Sequence, residues 1–186
     1  MPLDEALLEA EEKMQKSEEV VQREFAGVRT GKASPALVEN LQVECYGTQM
    51  RLKELANISA PEPRLLVVQP FDASNTQAID KAIQKANLGL NPAVDGKIIR
   101  LILPELSEDR RQEYVKMVKK MVEDGRVAIR HVRRDALNQL KTESKSGDIT
   151  EDDLSKGEKD VQKLTDDYIK KIDDHFEQKE KEIMTV

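Results

Sequence analysis

Gly125–Lys141, GRVAIRHVRRDALNQLK, sets Arg126, Arg130, Arg133, Arg134 and Lys141 beside a single acid, Asp135, in a chain whose formal net charge is -6. On an α-helix the four arginines fall at i, i+4, i+7 and i+8, which at about 100° per residue gathers them within roughly 100° of arc. Ile129, Val132, Ala136 and Leu140 form a second, apolar arc centred about 100° away. One helix therefore carries a core seam, which demands partner helices, and a cationic stripe. Solubilising helix faces usually intersperse Glu with Lys. This face is mostly Arg, whose planar fork suits phosphate and stacks on bases. A solvated surface and a nucleic-acid contact both remain open at this level.

The seam continues outward in both directions. Tyr114, Val118, Met121 and Val122 keep the same face if the helix runs through Gly125, so the spacing predicts a helix over 107–141 with Ser107 as N-cap. At 1.5 Å per residue this is a rod of roughly 50 Å. Gly125 costs it about 1 kcal/mol relative to Ala. Lys116 and Lys119 extend the stripe toward the helix start. Residues 3–28 repeat a 3,4 spacing in Leu3, Leu7, Ala10, Met14, Val21 and Val28, with a stop expected at Thr30-Gly31, where Gly31 would cap the helix. After a polar connection over 142–149, Thr150-Glu-Asp-Asp153 reads as a capping box. A third helix follows, with Leu154, Val161, Leu164, Tyr168, Ile172, Phe176 and Ile183 on its seam.

Between the first two helices the pattern changes. Six of the seven prolines lie between Pro35 and Pro104. Short apolar and β-branched segments predict strands at Gln42–Tyr46, Met50–Leu52, Arg64–Gln69 and Lys97–Leu103, with a hairpin at Tyr46-Gly47-Thr48. Asp72–Ala86 predicts an amphipathic helix, with Ala78, Ile79, Ala82, Ile83 and Ala86 on one face. The expectation is an α+β protein in which helical segments 1–30 and 105–186 enclose an inserted β/α/β domain over 31–104.

Composition narrows the function classes. Aromatics are 3% and charged residues 35%, which suits narrow helical seams rather than one large core. Net charge is -4 over 1–30, zero over 31–105, +4 over 106–141 and -6 over 142–186. A polyanion would thus be taken on the third of these segments alone. An acidic start and the lack of any long apolar run argue against a signal peptide and a membrane span, so a cytoplasmic protein is expected. The lone Cys45 allows no intramolecular disulfide.

Chemical constellations are sparse. Gly89 to Lys97 superficially resembles a phosphate-binding loop, but its first glycine is misplaced and Ile98 stands where a hydroxyl is needed, so it reads as a turn before a strand. Asp173, Asp174, His175 and Glu177 splay by about 100° per residue and do not converge on one ion. His131 has no paired nucleophile. We expect no enzymatic activity, no catalytic residue, no metal and no cofactor.

Arg29-Thr30-Gly31-Lys32-Ala33-Ser34-Pro35, Tyr46-Gly47-Thr48, Asn87 to Pro92, Arg126 to Ala136 and Asp160 to Asp166 together resemble the bacterial ribosome recycling factor family. The resemblance runs in order over nearly the whole chain. It implies a long antiparallel three-helix bundle with a small β/α/β domain attached through two linkers, L-shaped overall. It also implies that the chain binds the large subunit of the post-termination ribosome through its ribosomal RNA. With elongation factor G and GTP hydrolysis by that partner, it would split the ribosome into subunits and release mRNA. Arg130 and Arg133 carry over as principal RNA contacts, with Arg29, Arg126 and Arg134 as weaker members. Thr30-Gly31 and Pro104-Glu105, where the chain leaves and re-enters the helical part, are expected to form a hinge, with Gly31 offering dihedral freedom and Pro104 limiting it. His131 and Leu137-Asn138 depart from the family pattern. A monomer with no membrane association is expected. The rival is a cytoplasmic scaffold whose bundle binds another helical protein while the stripe stays solvated.

Overall fold

The computed structural model describes residues 2–185; Met1 and Val186, the outer ends of the expected bundle segments, lie outside the described residues. The elements, in order, are α1 (Pro2–Ala26), β1 (Gln42–Cys45), β2 (Thr48–Arg51), α2 (Leu52–Leu55), β3 (Ala56–Glu62), β4 (Leu65–Pro70), α3 (Thr76–Ala86), β5 (Asn91–Asp95), β6 (Ile98–Ile102), α4 (Glu108–Ser146) and α5 (Glu151–Met184). Two compact units form: Met1–Phe25 with Val115–Lys181, and Ala26–Tyr114 with Glu182–Val186.

The first unit is built from three long helices whose directions follow from their contacts. Gly125 faces Ile172 and Gly157 faces Leu140, so α4 and α5 run antiparallel. Val21 meets Gly125 while Leu3 meets Gly157, which makes α1 antiparallel to α4 and parallel to α5. The seam residues Met14, Val21, Val118, Ile129, Leu140, Val161 and Ile172 are all buried. Each fully buried side chain of this size contributes about 1.5–3 kcal/mol, so the narrow seams suffice where aromatics are few. At one end Leu3, Ala6, Ala10, Ala136, Leu140, Ile149 and Val161 close into a cluster.

Helix ends obey the capping chemistry. The Arg110 amide donates to Ser107 Oγ at 3.2 Å. The reciprocal box at the start of α5 is complete: the Asp153 amide donates to Thr150 Oγ1 at 3.0 Å, and the Thr150 amide to Asp153 Oδ2 at 3.2 Å. Two boundaries differ from expectation. Helix α4 runs on to Ser146, and Gly147, at φ 84°, makes the exit. Helix α1 stops at Ala26 rather than at Thr30-Gly31, and Val28 and Arg29 are both buried in the non-helical chain beyond it.

The second unit holds a two-stranded hairpin, β1–β2, and a four-stranded antiparallel sheet in the order β3-β4-β6-β5. Helix α3 packs on β1, β5 and β6, and the core gathers Val43, Leu52, Leu66, Val68, Ile79, Ile83, Ile99 and Leu101. Strands β3 and β5 are additions to the expected set. Both are sheet edges, exposed along most of their length and each holding a proline, so they lack the apolar alternation that marks a strand. Leu52 opens the single turn α2 rather than ending a strand, and the expected helix at Asp72 begins at Thr76 after a 3₁₀ turn over Ala73–Asn75.

Turn chemistry accounts for both two-residue hairpins. Tyr46 and Gly47 have φ 54° and 73°, the two positive values of a type I′ turn. Between β5 and β6, Gly96 alone is positive, at φ 61°, which matches a type II′ turn with Lys97 second. The segment that mimicked a phosphate loop is thus an edge strand and a hairpin turn.

Candidate RNA-binding face

The stripe lies on α4, within the first compact unit, but its four arginines are not equivalent. Arg130 is half exposed, 47% at the side chain, with Glu123 Oε1 3.4 Å from Nη1 as its one acidic partner among the described residues. Arg134 is exposed and has no ion-pair partner among the described residues. Arg133 is half-buried, with Nη1 donating to Gln162 Oε1 on α5 at 3.5 Å, the outer limit of a hydrogen bond. Arg126 is held most firmly. Its Nε donates to Asp173 Oδ1 on α5 at 3.2 Å, its Nη2 reaches the same oxygen, and Glu123 lies 3.5 Å away. The Asp173 carboxylate pushes the Arg126 pKa further up. Arg126 therefore ties α4 to α5 and brings its own counter-charge, whereas Arg130 meets an acid only through the exposed Glu123 at 3.4 Å and Arg134 projects its charge into solvent.

Glu123 was absent from the sequence reading because it lies just outside the Arg-rich stretch. Its position, three residues before Arg126 and seven before Arg130, places it on the same helix face. Further toward the same helix start, Lys116 and Lys119 are exposed and prolong the stripe beyond Glu123. His131 is exposed beside it.

Arg29 has a different environment from the stripe arginines. It belongs to the second unit, is 8% exposed, and donates through Nη2 to the Pro104 carbonyl. Its Nε is buried with no hydrogen-bond partner among the described residues. Burial lowers its pKa, nearby Tyr114 partly opposes that, and Arg64 adds to the lowering. Thus one side chain bonds the two expected linkers, Arg29-Thr30-Gly31 and Pro104-Glu105, to each other. Around them, Thr30 Oγ1 donates to the Lys32 carbonyl at 3.2 Å. A Cβ on Gly31 would come 2.9 Å from the Thr185 carbonyl oxygen, so glycine here answers close packing rather than a left-handed backbone.

The acidic run near the end of α5 has structural employment. Asp173 receives Arg126, and His175 Nε2 lies 2.9 Å from Glu18 Oε1 on α1. Among the described residues, no group of three or more His, Cys, Asp or Glu is placed to hold a metal ion. No helix among them is long and apolar enough to cross a membrane.

The family model described as "Ribosome recycling factor" matches residues 21–184. The chain belongs to the ribosome recycling factor family. It is 53% identical over 177 residues to the ribosome-recycling factor of Caldicellulosiruptor saccharolyticus, covering 95% of this chain and 96% of that protein. It is 51% identical over 182 residues to that of Bacillus subtilis, covering 98% of each. A solution structure of a ribosome recycling factor superposes with a TM-score of 0.79 at 43% identity, covering 100% of this chain and 99% of that one. A second solved structure matches with a TM-score of 0.69 at 44% identity, covering 100% of both chains. It is described as models of the T. thermophilus ribosome recycling factor and the E. coli elongation factor G bound to the E. coli post-termination complex. Members of this family are translation factors, and the fold of this chain, long helices with a small β unit, is theirs.

Proposed function

We propose that this chain recycles ribosomes in the cytoplasm after translation terminates: it binds the large subunit of the post-termination ribosome through ribosomal RNA. With elongation factor G it then splits the particle into subunits and releases mRNA. The observation that carries this reading is the near-full-length similarity to ribosome recycling factors, one of which is described in a post-termination complex with elongation factor G.

The chemistry of α4 supports a phosphate contact. Arg130 and Arg134 are exposed and Arg133 is half-buried at the α5 seam. With Lys116 and Lys119, they make a row of cations on a rigid rod in an otherwise acidic protein. RNA is recognised by shape and by phosphate and 2′-hydroxyl contacts, for which a stiff row of planar donors is suited. Arg126 contributes less, being already neutralised by Asp173. Arg29 acts on the linkers instead, joining Thr30-Gly31 to Pro104-Glu105, the residues we assign as the hinge between the bundle and the inserted domain. Two short connections tied to each other would move as one, so the inserted domain would pivot when the partner factor acts while the bundle stays on RNA.

Arg130→Ala combined with Arg133→Ala should weaken binding to purified large subunits without changing the helical circular-dichroism signal, since such surface changes move stability by less than about 0.5 kcal/mol. Affinity should fall steeply with salt as neutralised phosphates release counterions. An unaltered dissociation constant in the double variant, or salt-insensitive binding, would favour the helical scaffold instead. Splitting is read by light scattering of post-termination ribosomes with elongation factor G and GTP.

A further inference from the structure

Between Lys116 and Lys141 helix α4 carries the acids Glu123, Asp124 and Asp135. Only the first lies on the cationic face. Lys116, Lys119 and Lys120 precede Glu123 by seven, four and three residues, and Arg130 and Arg134 follow it by seven and eleven, the spacings that bring helix residues to one side. All of these cations are exposed. Asp124 and Asp135 point about 100° and 120° away from Glu123. A carboxylate thus stands in the middle of the proposed RNA-binding face.

The fold does not need that carboxylate. Glu123 is 55% exposed at the side chain, and its two oxygens lie 3.4 Å from Arg130 Nη1 and 3.5 Å from Arg126 Nη1, long for charge-assisted bonds. Arg126 already has Asp173 on α5, which raises its pKa more than Glu123 does. Exposed pairs within one helix add little to stability. Nor is Glu123 in the first or last turn of α4, where a charge would act on the helix dipole. Beneath it the seam is made by Val122 and Ile129, both buried.

What the carboxylate does change is the charge of the face. It leans on Arg130, the side chain expected to be a principal RNA contact, and it stands where a backbone laid along the rod would bring phosphate. A regular duplex carries phosphates at short, even intervals, so some must pass position 123 and be repelled there. A folded site can set its phosphates opposite Arg130, Arg134 and the lysines and leave none opposite Glu123.

We propose that Glu123 is a specificity-determining residue: a negative charge within the cationic face that weakens the hold on arbitrary RNA while leaving the recognised site on the large subunit bound. The proposal rests on the function proposed above. Selectivity often comes from repulsion of the wrong partner as well as attraction to the right one. Ribosomal RNA offers phosphates on every side, and an unbroken row of lysines and arginines would hold many of them.

The test compares wild type, Glu123→Gln and Glu123→Asp for binding to purified large subunits and to an unrelated RNA duplex at one salt concentration. In water, a carboxylate about 7 Å from one phosphate weakens binding roughly two- to threefold before screening by salt. Glu123→Gln should therefore hold the duplex, which brings several phosphates past this position, at least about threefold tighter. Its affinity for large subunits should change by less than about twofold. Glu123→Asp keeps the charge and should stay near wild type on both. The helical circular-dichroism signal and the melting transition should be retained in both variants. No tightening on the duplex, or tightening of large-subunit binding to the same degree, overturns the proposal. Weaker large-subunit binding by Glu123→Gln overturns it too, by making Glu123 the residue that orients Arg130. A wild-type chain with no preference for large subunits over the duplex would overturn the functional reading first, and this inference with it.

Discussion

Gly125→Ala sets two effects of opposite sign against each other at the centre of the long helix α4. Helix propensity alone favours alanine by about 1 kcal/mol. A Cβ at this position, however, would come 2.5 Å from Val21 Cγ2 on α1 and 3.3 Å from Ile172 Cδ1 on α5. Ordinary contact begins near 3.4 Å, so the helices must part or Val21 must turn by the better part of an ångström. Val21 is 2% exposed, and a β-branched side chain has few alternative rotamers. Overpacking of this kind costs about 1–3 kcal/mol, which leaves a net destabilisation of about 0–2 kcal/mol after the propensity gain is subtracted. Val21→Ala should remove the clash. Alone it costs about 1.5 kcal/mol or more for the two methyl groups lost, but combined with Gly125→Ala the new methyl enters the vacated space. A coupling of at least about 1 kcal/mol is therefore expected in the double-mutant cycle, read from urea or thermal unfolding of the four proteins. If Gly125→Ala stabilises by its full propensity gain, and the two changes add within about 0.5 kcal/mol, then close approach does not explain the glycine.

Gly157→Ala should be milder than Gly125→Ala in the same unfolding assay: the atoms its Cβ would crowd are leucine ends, Leu140 Cδ1 and Leu3 Cδ1, both at 2.8 Å, and these swing more easily than valine. Arg126→Ala should weaken large-subunit binding less than Arg130→Ala and cost under about 1 kcal/mol in unfolding, because it breaks a partly exposed pair with Asp173. Arg29→Ala should do the reverse, lowering the melting temperature through a Pro104 carbonyl left without its donor, a loss of about 1–3 kcal/mol that the exposed stripe arginines would not reproduce. Asp72, whose pKa is lowered from 3.8 chiefly by the Ser74 backbone bond, contributes stability that is complete above 3.8 and lost as pH falls through the lowered value; NMR titration of its carboxyl carbon should place the midpoint below that of exposed aspartates, and an ordinary midpoint would refute the Ser74 and Tyr46 bonds.

Long-range periodicity made the three helices legible. A 3,4 repeat over several turns has one physical solution, a buried seam, and Met14, Val21, Ile129, Leu140, Val161 and Ile172 all lie in it. Local capping chemistry was equally readable at Ser107 and at Thr150 with Asp153, because those bonds close within four residues. The cationic face was visible for the same reason: residues of one helix share a face whatever the rest of the chain does.

What the sequence could not supply were effects that depend on a distant partner. Arg126 and Arg130 are four residues apart and look interchangeable until α5 brings Asp173 to one of them. Arg29 looks like a cation at a helix end until Pro104, 75 positions away, turns it into a buried clamp. Strands β3 and β5 borrow their hydrogen bonds from β4 and β6 and expose most of their own side chains, so no alternation announces them. Gly125 reads as a weakness in a helix until Val21 arrives against it. In each case the decisive term is a contact across tens of residues, and its energy depends on ångström-scale distances that only the folded chain sets.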